Sequence, residues 1–217
     1  MNQIFHPSMN TVARVSIIGG VLLVTVLAVG WYFFVRSPFM TGVNIAAEQP
    51  IPFSHQHHVN EVGIECRYCH TSVEDSAFAG IPPTYTCMTC HSQLFTDAEM
   101  LAPVRASYAT GIPLQWNRLH NLSDFVYFNH SIHVNNGVGC ETCHGRVDQM
   151  RLTYKAKPMF MEWCIQCHRA PEKYIRPLDE IYTMGYEPEN QLAMGTQLVA
   201  EYGIETGRLD DCSICHR

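Results

Sequence analysis

The sequence lacks the short motifs that mark the common enzyme classes. It contains no Walker, Rossmann, nucleophile-elbow or His-Glu-x-x-His motif, so the enzyme classes that depend on those motifs have no support. No long alternation of polar and apolar residues is present either, although such alternation marks a half-buried strand. Frequent proline and glycine, as in GIPPTY at residues 80–85, predict short helices joined by irregular loops. The expected fold class is therefore mainly α with extensive coil.

Acidic residues and cysteines are both missing from the N-terminal part of the chain. The first acidic residue is Glu48 and the first cysteine is Cys66. From Ser37 onward, 20 acidic residues face 12 basic ones, since Arg14 and Arg36 lie before it, and the net charge is −8. Domains that bind nucleic acid carry clustered Lys and Arg instead. The composition therefore argues against nucleic acid as a partner.

The N-terminal part holds one long uncharged segment. Between Arg14 and Arg36 lie 21 residues without charge, VSIIGGVLLVTVLAVGWYFFV. A helix of that length spans about 30 Å, the thickness of the hydrocarbon core of a bilayer. A secretory signal peptide has a shorter apolar region of about 7–15 residues, so we expect an uncleaved single-span anchor. The predicted division is a tail and transmembrane anchor at residues 1–36 and a second domain at residues 37–217.

All ten cysteines belong to one repeated pattern. Five copies of Cys-x-x-Cys-His occur, as CRYCH, CMTCH, CETCH, CIQCH and CSICH. A structural zinc site joins two Cys-x-x-Cys pairs, or one such pair and a histidine pair. Five is an odd number, and zinc would not require a histidine after every pair. A thioredoxin-type redox motif would occur once, beside a βαβ pattern, and no such pattern is visible. C-x-x-C-H is the attachment motif of c-type haem, so we predict five covalently bound c-type haems.

Each motif supplies two cysteines for thioether bonds and one proximal histidine ligand for the iron. The predicted attachment residues are Cys66, Cys69, Cys87, Cys90, Cys140, Cys143, Cys164, Cys167, Cys212 and Cys215. The predicted proximal ligands are His70, His91, His144, His168 and His216. No catalytic residue is predicted.

Two stretches of the sequence resemble each other. PFSHQHHVNEVGIECRYCH and YFNHSIHVNNGVGCETCH, the latter at residues 127–144, share the pattern F-[SN]-H-x-x-H-V-N before a haem motif. A further motif follows each copy, CMTCH after the first and CIQCH after the second. The second domain is therefore predicted to be a duplicated two-haem module with a fifth haem at its C-terminal end.

The duplication also selects distal ligands among the seven histidines outside the motifs. His57 corresponds to an isoleucine in the second copy, and His6 precedes the membrane segment, so neither is expected to reach a haem. Two histidines three residues apart share one face of a helix and would serve two different haems. The predicted distal ligands are His55, His58, His120, His130 and His133. A methionine, Met159 or Met161, is the alternative at one haem and would raise its reduction potential.

The length of the second domain leaves little polypeptide for each haem. From Ser37 to Arg217 there are 181 residues for five motifs. So short a chain cannot build a large apolar core, and the porphyrins are expected to take its place, as disulfides or metals do in other small scaffolds. The C-terminal stretch NQLAMGTQLVAEYG predicts a longer helix before the last motif.

Four stretches together resemble one protein family. They are FSHQHHV, CRYCHTSVEDSAFAGIPPTYTCMTCH, RLHNLSDFVYFNHSIHV and the closing CHR. They resemble the pentahaem, membrane-anchored subunit of alternative complex III, a bacterial quinol:electron acceptor oxidoreductase. Small multihaem cytochromes of the c7 type share the F-x-H-x-x-H part of this pattern.

The resemblance implies a cellular location and a set of partners. Haem would be attached outside the cytoplasm, so the N-terminus would lie in the cytoplasm and the haem domain on the periplasmic side of the bacterial cytoplasmic membrane. The implied partners are other membrane and iron–sulfur subunits of a quinol oxidoreductase, membrane lipid, and a downstream cytochrome c or an oxidase.

Three functions are compatible with this pattern. An electron-transfer subunit needs no substrate site, and haems with both axial positions filled offer none. A self-sufficient quinol dehydrogenase feeding a periplasmic reductase would need proton-accepting groups near the first haem, for which Glu61, Glu65 and Asp75 are candidates. A multihaem reductase would need an open axial position, and five available distal histidines argue against one. The expected function is electron transfer within a larger quinol oxidoreductase.

Overall fold

A computed structural model describes residues 4–216 and divides the chain into two compact units, with the boundary after Val43. The first unit contains α1 (Ser8–Arg36) and α2 (Pro38–Thr41). With 29 residues, α1 is long and apolar enough to cross a membrane, and it could anchor the protein there. It ends at Arg36 because Ser37 is extended, as expected for a residue that precedes proline. The Arg36 guanidinium lies 3.8 Å above the Tyr32 ring.

The second unit is assembled from short helices and turns. Its α-helices are α3 (Cys66–Cys69), α4 (Thr84–His91), α5 (Ala102–Thr110), α6 (His130–Asn135), α7 (Cys140–His144), α8 (Met161–Arg169), α9 (Gln191–Glu201) and α10 (Cys212–Cys215). One π-helix spans Gln56–Glu61, and 3₁₀ turns span Glu99–Leu101, Val147–Gln149, Pro171–Lys173, Leu178–Glu180 and Thr206–Arg208. Residues 44–216 contain two isolated β-bridges and no strand. The predicted class, mainly α with extensive coil, is confirmed.

The two copies of the duplicated pattern have similar local structure and differ in length by one residue. In the second copy α6 begins at His130, and the side chain of Asn129 caps it by accepting the backbone N–H of Ser131. In the first copy Ser54 takes the same place, and its hydroxyl accepts the backbone N–H of His57 at 3.1 Å. The first copy has one extra residue between its second histidine and the following motif. A π-helix accommodates one inserted residue, which explains why Gln56–Glu61 is π-helical where α6 is regular.

The apolar core of this unit is small. Among the described residues, only nine hydrophobic side chains besides Pro171 are buried. One group of them joins Ile51, Leu101 and Val104, and another joins Val73, Val134 and Ile181. Cys87 packs against the first group and Cys140 against the second. So little burial stabilises a chain of this length poorly, as expected if bound porphyrins complete the core.

Helix α9 packs closely on the turn that follows the fourth motif. The predicted longer helix is confirmed as α9, with 11 residues. Its Gly195 lies against the backbone carbonyl of Glu172, so that a Cβ atom would collide with that oxygen. Gln191 donates to the carbonyl oxygens of Glu172 at 3.0 Å and Ile175 at 2.8 Å. These contacts fix the turn at Pro171–Lys173 relative to α9.

Candidate haem sites

Every Cys-x-x-Cys-His motif lies on a helical turn. The five turns are α3, the second half of α4, α7, α8 and α10. Side chains three and four residues apart project from the same face of a helix. The two cysteines and the histidine of each motif therefore share one face and can bind one planar ligand from the same side. The local helix supplies the geometry that haem attachment requires.

The predicted ligand histidines are held by their Nδ1 atoms. In seven of them Nδ1 bonds a backbone carbonyl: His58–Ser54 (2.8 Å), His70–Gly80 (2.7 Å), His91–Leu94 (3.2 Å), His130–Ala77 (2.9 Å), His133–Asn129 (2.7 Å), His168–Leu209 (2.6 Å) and His216–Phe125 (3.1 Å). A carbonyl oxygen can only accept, so Nδ1 must carry the proton. The neutral ring then presents the lone pair of Nε2, and this arrangement is usual for metal-bound histidine.

Three pairs of imidazole rings have the separation that a shared metal ion requires. A metal between two imidazole nitrogens, each about 2 Å away, places the ring centroids about 6 Å apart. The observed centroid distances are 6.2 Å for His58–His91, 6.1 Å for His133–His168 and 6.4 Å for His130–His144. Each pair joins one predicted distal ligand to one predicted proximal ligand.

A phenylalanine contacts the two predicted distal histidines in each copy. Phe53 stacks on His58 with centroids 4.4 Å apart and meets His55 edge-on at 4.9 Å. In the second copy Phe128 makes the equivalent contacts, with His133 at 4.5 Å and His130 at 4.8 Å. The sequence pattern contained this phenylalanine, but only the structure shows that its ring contacts both histidines.

His55 and His120 complete the predicted distal set, and their surroundings differ. The Nδ1 atom of His55 lies 2.9 Å from the Thr153 hydroxyl. The ring of His120 lies 4.3 Å from that of His144, too close for a metal between them. Its Nε2 atom is buried and finds no hydrogen-bond partner among the described residues. Such an orphaned nitrogen is costly, and an iron ligand role would satisfy it.

The structure does not bring His120 to His216. The ring contact of His216 is with Phe125, at a centroid distance of 5.7 Å. Of the two methionines considered as alternative ligands, Met161 is 59% exposed. Met159 is half-buried and has a positive φ of 55°, a strained conformation for this residue type. His120 as a distal ligand, with a methionine as the alternative at one haem, therefore stays a prediction.

Burial keeps several of the predicted ligand histidines neutral. It lowers the pKa of His55 and of His120 to about 4, and that of His144 to about 3. The positive charge that His70 would carry lowers the pKa of His55 further. A histidine must be unprotonated at the ligating nitrogen to bind a metal. Desolvation therefore prepares these rings for iron.

The histidine excluded from the ligand set and two of the carboxylates considered for proton uptake have partners of their own. His57 is exposed, with 52% of its side chain accessible, and its Nδ1 bonds Glu61 at 2.8 Å. Its exclusion from the ligand set fits this position, although the ligand set as a whole stays a prediction. Glu65 forms an ion pair with Arg67 inside the first motif. Two of the three carboxylates considered for proton uptake thus have cationic or histidine partners.

A cavity of about 300 Å³ lies between the third and fourth motifs. Thr142 of α7 and Cys167 of α8 both line it. Its charged lining residues are three cations, Lys157, Lys173 and Arg176, and one carboxylate, Glu141. The cavity could not be expected from the sequence, because its walls come from separate segments of the chain.

These features define a multihaem cytochrome c domain, and electron transfer is what such domains do. Residues 126–217 match the family described as "Cytochrome c7 and related cytochrome c". Over 123 residues the chain is 37% identical to the "Menaquinone reductase, multiheme cytochrome c subunit" of Nitratidesulfovibrio vulgaris, an alignment that covers 56% of this chain and 55% of that relative. The chain thus spans about half the length of this curated relative. The predictions of c-type haem and of a multihaem electron carrier are confirmed.

Proposed function

We propose that this chain is the five-haem electron-transfer subunit of a membrane quinol oxidoreductase of the alternative complex III type. The observation that carries the proposal is the pairing of distal and proximal histidine rings about 6 Å apart, with Nδ1 held by protein acceptors. Each bound haem would supply a one-electron couple. The chain's own contribution is to attach, orient and partly shield these groups.

Each residue class has one role in this proposal. The ten motif cysteines would hold the porphyrins, and the five motif histidines would be proximal ligands. His55, His58, His130 and His133 would be distal ligands in the duplicated module, with His120 at the remaining iron and Met159 as the alternative there. With both axial positions filled, no iron is open to substrate, so the protein would conduct electrons without substrate chemistry of its own.

The membrane arrangement and the partners belong to the same proposal. Helix α1 would anchor the chain in the bacterial cytoplasmic membrane, with the N-terminus in the cytoplasm and the haem unit on the periplasmic side. Quinol would be oxidised by other membrane and iron–sulfur subunits, and a cytochrome c or an oxidase would receive the electrons. The 37% identity to a menaquinone reductase subunit supports a quinone-linked complex.

That relative also favours a second candidate function, in which electrons run the opposite way. Its printed name makes it a subunit of an enzyme that reduces menaquinone. On this alternative, electrons would enter the haems from a periplasmic donor and leave to menaquinone through membrane subunits. The two candidates share the haem sites and differ in the direction of flow.

The test compares the chain expressed alone in membranes with its native membrane extract in mild detergent. Haem is first counted per chain by pyridine haemochrome, and five is the expected result, falling to four in the double variant Cys212→Ser with Cys215→Ser. Menaquinol is then added and the haem α-band is followed. Rapid reduction only in the native extract supports a subunit within a complex, whereas equal rates assign a quinol site to the chain itself. Net menaquinone reduction by the prereduced native extract selects the second candidate.

A further inference from the structure

The contacts between the motifs do not follow their order in the sequence. The first and second motifs touch through Tyr68, between the cysteines of CRYCH, and Thr89, between those of CMTCH, with their hydroxyl oxygens 2.8 Å apart. Both residues are the inner positions of their motifs, so the two attachment turns lie side by side. The second motif therefore neighbours the first.

The first motif is also joined to the third, across the duplication. His130, which precedes the third motif, donates from Nδ1 to the carbonyl of Ala77 at 2.9 Å, and Ala77 follows the first motif. The buried cluster of Val73, Val134 and Ile181 lies between the same two segments, with Cys140 of the third motif packed against it. The two halves of the duplicated module thus meet at their first motifs.

The remaining links run from the third motif to the fourth and from the fourth to the fifth. Thr142 and Cys167 line one cavity, so the third and fourth motifs lie beside the same cavity. His168 of the fourth motif bonds the carbonyl of Leu209 at 2.6 Å. The next residue, Arg169, forms an ion pair with Asp210 at 2.8 Å, just before the fifth motif. Together these contacts give a linear order of second, first, third, fourth and fifth.

Exposure of the cysteines marks the two ends of this line. Cys90 of the second motif and Cys212 of the fifth are exposed, whereas the other eight cysteines are half-buried. Electron transfer to a partner requires a cofactor near the surface, while transfer within the chain does not. The two motifs at the ends of the line are thus the ones that carry an exposed cysteine.

We propose that electrons pass along the haem sites in the order second, first, third, fourth and fifth, or in the reverse order, and that they enter and leave the chain at the second and fifth motifs. The order rests on the proposed five-haem electron-transfer function. Each transfer moves one electron between neighbouring sites and makes or breaks no bond. The first motif is therefore an interior relay, although it is the first in the sequence.

The test injects electrons at one end of the full-length chain. Gln93 is exposed and lies two residues after the second motif. In the variant Gln93→Cys, a photoreducing ruthenium label is attached at this position. In the variant that also has Cys66→Ser and Cys69→Ser, a flash should rapidly reduce about one quarter of the remaining haem, because the interior relay is missing. The matched control, Cys212→Ser with Cys215→Ser, loses an end site, and all four remaining haems should fill rapidly.

Two outcomes separate this inference from the function on which it rests. A haem count below five in the unmodified chain would remove the proposed function itself. A count of five with rapid filling of all four haems in the variant without the first motif would overturn only the order. If that variant does not fold, the iron–iron distances in the intact complex, measured by electron cryo-microscopy, decide the matter. The shortest distances should join the second motif to the first and the first to the third, and a direct link from the second to the third would refute the order.

Discussion

Replacing His58 and its neighbour His57 separately tests the ligand geometry most directly. His58 faces His91 with ring centroids 6.2 Å apart, stacks on Phe53 and bonds the Ser54 carbonyl, whereas His57 is exposed and pairs with Glu61. His58→Ala removes one axial ligand from one iron. About one fifth of the haem should become high-spin, because the other four irons keep both ligands. His57→Ala should leave every haem low-spin.

The magnitude of the stability loss follows from the same contacts. Loss of one hydrogen bond costs about 1 kcal/mol and loss of one stacked aromatic pair about another 1 kcal/mol, so His58→Ala should destabilise the fold by about 2 kcal/mol. Electron paramagnetic resonance and carbon monoxide binding to the reduced protein measure the high-spin fraction. Added imidazole should restore the low-spin signal. A high-spin fraction in His57→Ala, or none in His58→Ala, would refute the assignment.

Three further predictions concern packing, pH and the membrane. Gly195→Ala should lower the free energy of unfolding by about 1–3 kcal/mol in thermal melts, because its Cβ meets the Glu172 carbonyl; Gly207→Ala, with open space around it, should change it little. Burial and the 2.8 Å hydrogen bond to Glu74 raise the pKa of Tyr182. The stability from this bond is therefore complete below about pH 10 and is lost as pH rises through the raised pKa, so a pH series of melts should show an alkaline loss that Tyr182→Phe lacks. Val24→Arg should release protein from the membrane fraction, since a central arginine costs about 2.5–3.5 kcal/mol; unchanged flotation with liposomes would contradict an anchoring role for α1.

Local sequence patterns explain why so much of the candidate site could be predicted without a structure. Cys-x-x-Cys-His places its three reactive side chains on one helical face through backbone periodicity alone, so the motif carries its own geometry. The apolar segment between Arg14 and Arg36 is also local, because its length alone decides whether it can span a bilayer. The duplication pointed to His55, His58, His130 and His133 because F-x-H-x-x-H is a short-range pattern.

Other features are not decided by a short sequence pattern, and sequence reasoning did not find them. The carbonyls that fix the histidine tautomers include Leu209 for His168 and Phe125 for His216, separated by 41 and 91 residues. The π-helix at Gln56–Glu61 was not expected, because a single inserted residue can be absorbed in a helix or in a loop. The position of His120 against His144 follows from the packing of two segments whose contact no local pattern encodes.

The sequence by itself determined the number of motifs, the class of cofactor, the helical character of the attachment turns and an apolar segment long enough to span a bilayer, because each depends on adjacent residues. Only the tertiary structure decided which distal and proximal rings face each other, which Nδ1 atoms are held by which carbonyls, and in which order the motifs touch. Those properties arise where segments remote in the chain pack together, and the small apolar core leaves the contacts among the motifs themselves to set that arrangement.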